Sequence, residues 1–211
     1  MIVTEKKSLQ ELISLLEKNR NIFIVGCGAC ATACATGGEK EVNELKTYLL
    51  EKGFNITGTS VVEVACDIRF DRLMIRNKKK EWDKADAIVV LCCGAGVQAL
   101  REVTDKILIP GLNSLFVGTI KRLTEFSSYC SLCGECILGF TGGFCPRTRC
   151  SKALNNGPCG GAVLGKCEAD RDRDCVWVLI YNYLKEKDMI HLLSYIREPL
   201  HHSKNKVMVS H

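Results

Sequence analysis

Residues 21–38 read NIFIVGCGACATACATGG, and residues 86–96 read DAIVVLCCGAG. Each opens on a short apolar run rich in β-branched residues and then breaks into glycine and cysteine. Runs of this length and composition, ending at a glycine signal, read as strands buried on both faces. Between them, residues 39–52 repeat their apolar positions at helical spacing and stop at Gly53, the residue type a helix C-terminus favours. Residues 56–65, ITGTSVVEVA, give a further strand ending at Cys66, and the basic stretch 67–84 reads as helical. Upstream, Leu9, Leu12, Ile13 and Leu16 share one face of a helix over 8–19, with Ser8 as its N-cap and Glu11 as the capping-box partner. Downstream, 97–105 reads as a helix, and 107–110 with 114–117 offers a fourth strand.

Strands alternating with helices predict parallel pairing, so the fold class is α/β with a small N-terminal parallel sheet of flavodoxin or Rossmann type. In such open sheets the ligand site lies beyond the carboxyl ends of the strands. Cys27 follows the first strand, Cys66 the second, and Cys92 and Cys93 the third. Three strand ends therefore deliver thiols to one edge of the sheet.

The composition sets limits on the class of protein. The chain has 211 residues with 14 cysteines and a net charge of +5, and its basic residues are interspersed with acids rather than gathered on one face, which argues against nucleic acid as a partner. No apolar run reaches membrane-spanning length, and residues 1–10 lack an apolar signal region, so a cytoplasmic protein without membrane insertion is expected. In a reducing cytosol, cysteines at two- and three-residue gaps beside glycine and proline point to metal rather than disulfides. After about residue 125 glycine and cysteine dominate and apolar periodicity vanishes until a helix at 174–187 and a shorter one at 189–197. The expected organisation is an α/β domain over 1–125 with one cluster site, a cysteine-rich metal-binding domain with C-terminal helices over 126–200, and a flexible tail over 201–211. His201, His202 and His211 fall in that tail and are not expected to be ligands. The segment 126–200 is poor in core residues and should need metal to fold.

Two constellations carry the chemistry. The first is GCGACATAC at residues 26–34, holding Cys27, Cys30 and Cys34, joined by Cys66, Cys92 and Cys93. A [4Fe–4S] cluster takes four thiolates. Cys27, Cys34, Cys66 and Cys93 are favoured, with Cys30 and Cys92 as alternates. A competing reading takes Gly26-x-Gly28-x-x-Ala31 as a dinucleotide fingerprint, but the turn is crowded with cysteines, and no acid stands about 20 residues on at a strand end. The second constellation is Cys130, Cys133 and Cys136 as CxxCxxC, then Cys145-Pro146, Cys150, Cys159, Cys167 and Cys175. Eight cysteines suit two four-thiolate sites. CxxCxxC favours iron–sulfur for one of them. Zinc stays open for the other, because tetrahedral zinc also uses short gaps. Arg147, Arg149 and Lys152 lie among these cysteines and could offset thiolate charge. No Ser–His–Asp or paired-carboxylate arrangement is present to support hydrolysis.

The run CPRTRCSKALNNGPCGG at residues 145–161, then Gly165-Lys166-Cys167-Glu168 and Asp174-Cys175-Val176-Trp177, resembles the C-terminal domain family of methylenetetrahydrofolate reductases. In acetogenic bacteria and their relatives this family forms a separate small subunit beside a flavin-bearing catalytic subunit. The GCGAC and CCGAG loops look like that subunit too. The resemblance implies a non-catalytic electron-transfer chain that does not itself bind folate. It implies two or more [4Fe–4S] clusters, with zinc also described in the family, and a hetero-oligomer with the catalytic subunit. Electrons would pass from ferredoxin or an NADH-oxidising module to FMN or FAD on the partner, which reduces methylenetetrahydrofolate to methyltetrahydrofolate. The alternatives are a zinc-stabilised structural adaptor of the same complex and a corrinoid or methyl-transfer activating protein.

Overall fold

The computed structural model describes residues 1–16, 19–122 and 125–200. It divides into two compact units, one of Met1–Phe116 and Ile120–Phe126, the other of Val117–Thr119 and the chain from Ser127 on. The tail at 201–211, with His201, His202 and His211, lies outside the described residues.

The first unit is built on a four-stranded parallel sheet. Its elements begin with β1 (Ile2–Lys6), α1 (Leu9–Leu16), β2 (Asn21–Cys27), α2 (Cys30–Ala33), α3 (Glu39–Glu51) and β3 (Asn55–Val62). They continue with α4 (Ile68–Asn77), α5 (Lys79–Asp83), β4 (Ala87–Leu91), α6 (Gly94–Arg101) and β5 (Ile107–Pro110). The strand order is β3-β2-β4-β5, and β2 pairs in parallel with both β3 and β4. The order reverses at β2, so the crevice at the carboxyl ends of β2 and β4 is the topological switch point where ligands of such sheets bind. Helices cover both faces, which is why β2 and β4 are apolar throughout: Ile22, Phe23, Ile24, Ile88 and Val89 are fully buried. Burying each such side chain contributes roughly 1.5–3 kcal/mol. Trp82 of α5 closes the core edge-on against Phe23, with ring centroids 5.3 Å apart.

Local signals explain the helices. The Glu11 amide donates to Ser8 Oγ at 3.1 Å, as the capping reading expects. The Arg69 amide donates to Asp67 Oδ1 at 3.0 Å at the start of α4. The Gly38 amide donates to Glu41 Oε2 at 2.9 Å at the start of α3, and Gly53 ends that helix at φ +81°.

Three expectations need correction. Residues 67–84 form two helices separated at Lys78 rather than one. Residues 114–117 do not extend the fourth strand. They belong to β6 (Leu112–Arg122), which with β1 and β7 (Glu125–Ser128) makes a separate antiparallel sheet of order β1-β6-β7. The helix expected at 189–197 is a 3₁₀ turn, Ile190–Ser194.

The second unit has little regular structure. A 3₁₀ turn (Leu138–Phe140) and the short helix α7 (Pro146–Arg149) precede α8 (Val176–Glu186). Its buried cluster is small, Cys175, Val176, Trp177, Ile180 and Leu184, with Ile137 buried apart from it. An apolar core this small does not order a cysteine-rich loop of this length without cross-links or metal.

Candidate metal centres

In the first unit the switch point gathers thiols from all three strand ends. Cys27 is the last residue of β2, where it lies opposite Val62 of β3, and Cys93 caps α6 directly after β4. Glycine makes this approach feasible: a Cβ on Gly37 would lie 2.1 Å from the Leu91 carbonyl oxygen, so only glycine lets the 26–38 loop fold over the end of β4. The Cys27 amide donates to the Gly37 carbonyl at 2.9 Å, and Thr32 Oγ1 donates to the Cys27 carbonyl at 2.7 Å, which fixes the loop. Burial raises the Cys66 thiol, and the charges of Cys93, Cys27 and Cys30 raise it further, so these four sulfurs share one electrostatic neighbourhood. Mutual repulsion of that kind is what a bound cation relieves.

The charges acting on Cys66 include that of Cys30, the alternate, rather than that of Cys34. Cys34 sits one helical turn further along α2, where its Sγ lies 3.8 Å from the Ile2 carbonyl. Cys92 is 1% exposed, with its Sγ 3.4 Å from the Cys93 carbonyl. Burial and then the neighbouring Cys93 charge push its thiol far up, the behaviour of a core cysteine. The dinucleotide alternative fares poorly, because α2 has only four residues where that fingerprint needs a long helix.

Sequence reading passed over Asp71. It lies on α4 three residues before Met74, on the buried face, and is completely enclosed. Neither carboxyl oxygen has a hydrogen-bond partner among the described residues. Burial, reinforced by the Asp67 charge, raises its pKa from 3.8 to about 7, and its own charge acts on Cys92. Between those values the unfolded chain has released the proton while the folded chain keeps it, so rising pH favours unfolding. The first unit should lose up to about 4 kcal/mol of stability between pH ~4 and pH ~7 from this group. Asp71→Asn should flatten that slope, as read by urea unfolding across the interval; an unchanged slope would refute the assignment.

The second unit holds two groups of four cysteines. Cys130, Cys133, Cys136 and Cys145 line one cavity of about 290 Å³. Leu132 and Gly134 adopt φ of 53° and 75° between the first three cysteines, coiling the loop so that the thiols converge. The Leu132 amide reaches Cys130 Sγ at 3.5 Å, and Arg147 Nη1 donates to Cys133 Sγ at 2.9 Å. Arg147 also donates to the Glu135 carbonyl. Partial burial works to raise the Cys133 thiol, but the backbone at Glu135 and the Arg147 guanidinium outweigh it, and its pKa falls below the ordinary thiol value. The basic residue 147 is thus a direct partner of sulfur, which charge patterning in the sequence left undecided.

Cys150, Cys159, Cys167 and Cys175 line a second cavity of only about 20 Å³. This space is far smaller than the one among Cys130, Cys133, Cys136 and Cys145. Ser151 Oγ is 3.6 Å from Cys167 Sγ, and hydrogen bonds from Ser151 and from the backbone around Ala169 lower the Cys167 pKa. The ion pair of Lys152 with Glu168 sits at the rim. Cys175 caps α8, joining the thiols to the small core.

All 14 cysteines are free thiols. Among the described residues, no three Cys, His, Asp or Glu side chains are already closed to metal-coordinating distances. The donors are nonetheless the sulfur-only sets that iron–sulfur clusters and structural zinc take, grouped in fours.

Residues 109–203 match the family model described as methylene-tetrahydrofolate reductase C terminal. The matched segment contains both four-cysteine groups of the second unit and is consistent with a place in that enzyme system. No curated protein and no solved structure matches the chain. No helix among the described residues is long and apolar enough to cross a membrane.

Proposed function

We propose that this chain is a non-catalytic electron-transfer subunit of a methylenetetrahydrofolate reductase system. In this reading it works in the cytoplasm beside a flavin-bearing catalytic subunit. Cys130, Cys133, Cys136 and Cys145 hold one [4Fe–4S] cluster and Cys27, Cys30, Cys66 and Cys93 a second. Cys150, Cys159, Cys167 and Cys175 hold a single zinc ion. The observation that carries the reading is the contrast between the two cavities of the second unit, about 290 Å³ against about 20 Å³, each lined by four thiols. That difference in room favours a multi-atom cluster in one and a lone ion in the other, where cysteine spacing alone does not discriminate.

When bound, the clusters supply one-electron transfer between a donor of the ferredoxin or NADH-oxidising type and the partner's flavin. The chain's own residues hold the sulfurs, set their surroundings and exclude water. Arg147 stands on Cys133 and offsets the negative charge of a thiolate-bound centre, while the Leu132 amide donates to Cys130. Both contacts favour the more negative, reduced form and so raise the potential of that site. The competing adaptor reading draws on the single-ion cavity, which has a purely structural character. Colour separates the two. Protein purified without oxygen should show a broad visible absorption that bleaches when reduced ferredoxin is added. A colourless, zinc-only protein would refute the relay and leave the adaptor.

A further inference from the structure

A cavity that no thiol lines lies in the second unit, about 360 Å³ in volume, between the 3₁₀ turn at Leu138–Phe140, the 155–158 loop, α8 and the segment 192–197. This is within the range of small-molecule sites. Its walls carry the rings of Phe140, Trp177, Tyr181 and Tyr195. Phe140 and Tyr195 stack at 5.1 Å, and the Arg197 guanidinium lies over both, 4.2 Å from the Phe140 centroid and 5.6 Å from that of Tyr195.

The polar groups are held in place. Asn156 clamps the backbone of Arg197 from both sides: its Nδ2 donates to the Arg197 carbonyl at 2.9 Å, and its Oδ1 accepts from the Arg197 amide at 2.8 Å. Asn155 Oδ1 accepts from Arg147 Nε at 3.1 Å, which turns its amide nitrogen free of any partner among the described residues. The Glu135 charge also acts on Arg197. Burial and then the Arg147 charge hold Arg197 below the usual arginine value, so two guanidinium groups act on one another beside this aromatic surface.

Flat apolar walls, an amide donor and a fixed guanidinium together suit one kind of ligand. We propose that this cavity binds a planar heteroaromatic ring carrying an anionic group, the ring against the aromatic walls and the charge at Arg197. Stacking and cation–π contact are sequence-independent attractions of a ring for such walls, and the guanidinium prefers carboxylate or phosphate. Asn155 offers a hydrogen bond to a ring carbonyl or nitrogen. The same Arg147 that orients Asn155 also donates to Cys133, so an occupant would sit one side chain away from that thiol group. The proposal rests on the cavity alone, and either it or the relay reading can fail without the other.

The test is isothermal titration of the full chain, purified anaerobically, with FMN and in a separate arm with folic acid. Both are planar heteroaromatic anions, one ending in phosphate and the other in carboxylates. Saturable binding of either supports the site, and which one binds tells the source of the ring. Inorganic phosphate, an anion without a ring, should bind at least about tenfold more weakly than the better of the two. Tyr195 is 61% exposed, so Tyr195→Ala removes a wall without disturbing the core. Tyr195→Ala and Arg197→Gln should each weaken binding by about tenfold. Absence of saturable binding in both arms would overturn the proposal. So would phosphate binding as tightly as the ring compounds, or binding unchanged in both variants.

Discussion

Replacing Cys167 by serine is expected to unfold the second unit while the first stays intact. Cys167 belongs to the group of four thiols around the cavity of about 20 Å³, and its neighbours there include Cys175 and Trp177. The buried cluster of this unit is small, Cys175, Val176, Trp177, Ile180 and Leu184, and much of the chain around it is loop. A structural zinc contributes on the order of 10 kcal/mol to small domains that lack a core of their own. Losing one thiolate removes most of that, more than a core of five residues replaces. The expected readings are zinc content falling towards zero, red-shifted Trp177 emission as its indole N–H loses the Leu154 carbonyl at 3.2 Å, and rapid proteolysis after residue 126. The parallel sheet of the first unit has its own core, from Leu12 to Leu112, and should keep its protection against hydrogen exchange. Zinc content and tryptophan emission like those of the unaltered chain would count against the assignment.

Cys133→Ser should have a different outcome. Here the cavity is wide, and the residue's partner is Arg147. Iron and sulfide should each fall by about four atoms per chain, with zinc unchanged. Reduction of the partner's flavin by ferredoxin should drop to background, because a relay broken at one centre has no parallel route through this unit. The two variants therefore separate the sites: one loses zinc and fold, the other iron and electron delivery. If Cys133→Ser retains full iron and full flavin reduction, Cys133 is not a ligand.

The central sheet was legible in the sequence for a simple reason. Strands buried on both faces leave unbroken apolar runs, and residues 21–25 and 86–91 carry them. The delivery of Cys27, Cys66 and Cys93 to one edge follows from strand ends alone. Cys30 and Cys34 could not be separated in the sequence, because they stand one helical turn apart and the difference is how far along α2 each lies from the strand ends. That in turn depends on the contact of Gly37 with Leu91, which joins residues far apart in the chain. β1 was invisible because IVTEK is short and does not alternate, and β6, of which only 114–117 was read as strand, is mostly exposed. Asp71 did leave a trace, an acid at helical spacing from Met74 on an otherwise apolar face. The kind of metal at each site in the second unit was not readable from gaps between cysteines, because both kinds use short ones. The assignment proposed above rests instead on room, which is a property of the folded loop.

The most direct measurement is iron, sulfide and zinc content of the full chain purified without oxygen. The account predicts about eight iron, about eight sulfide and about one zinc per chain, held by three separate sets of four thiols. Iron absent with zinc at two or three per chain would contradict it, and so would sulfurs found joined in disulfides.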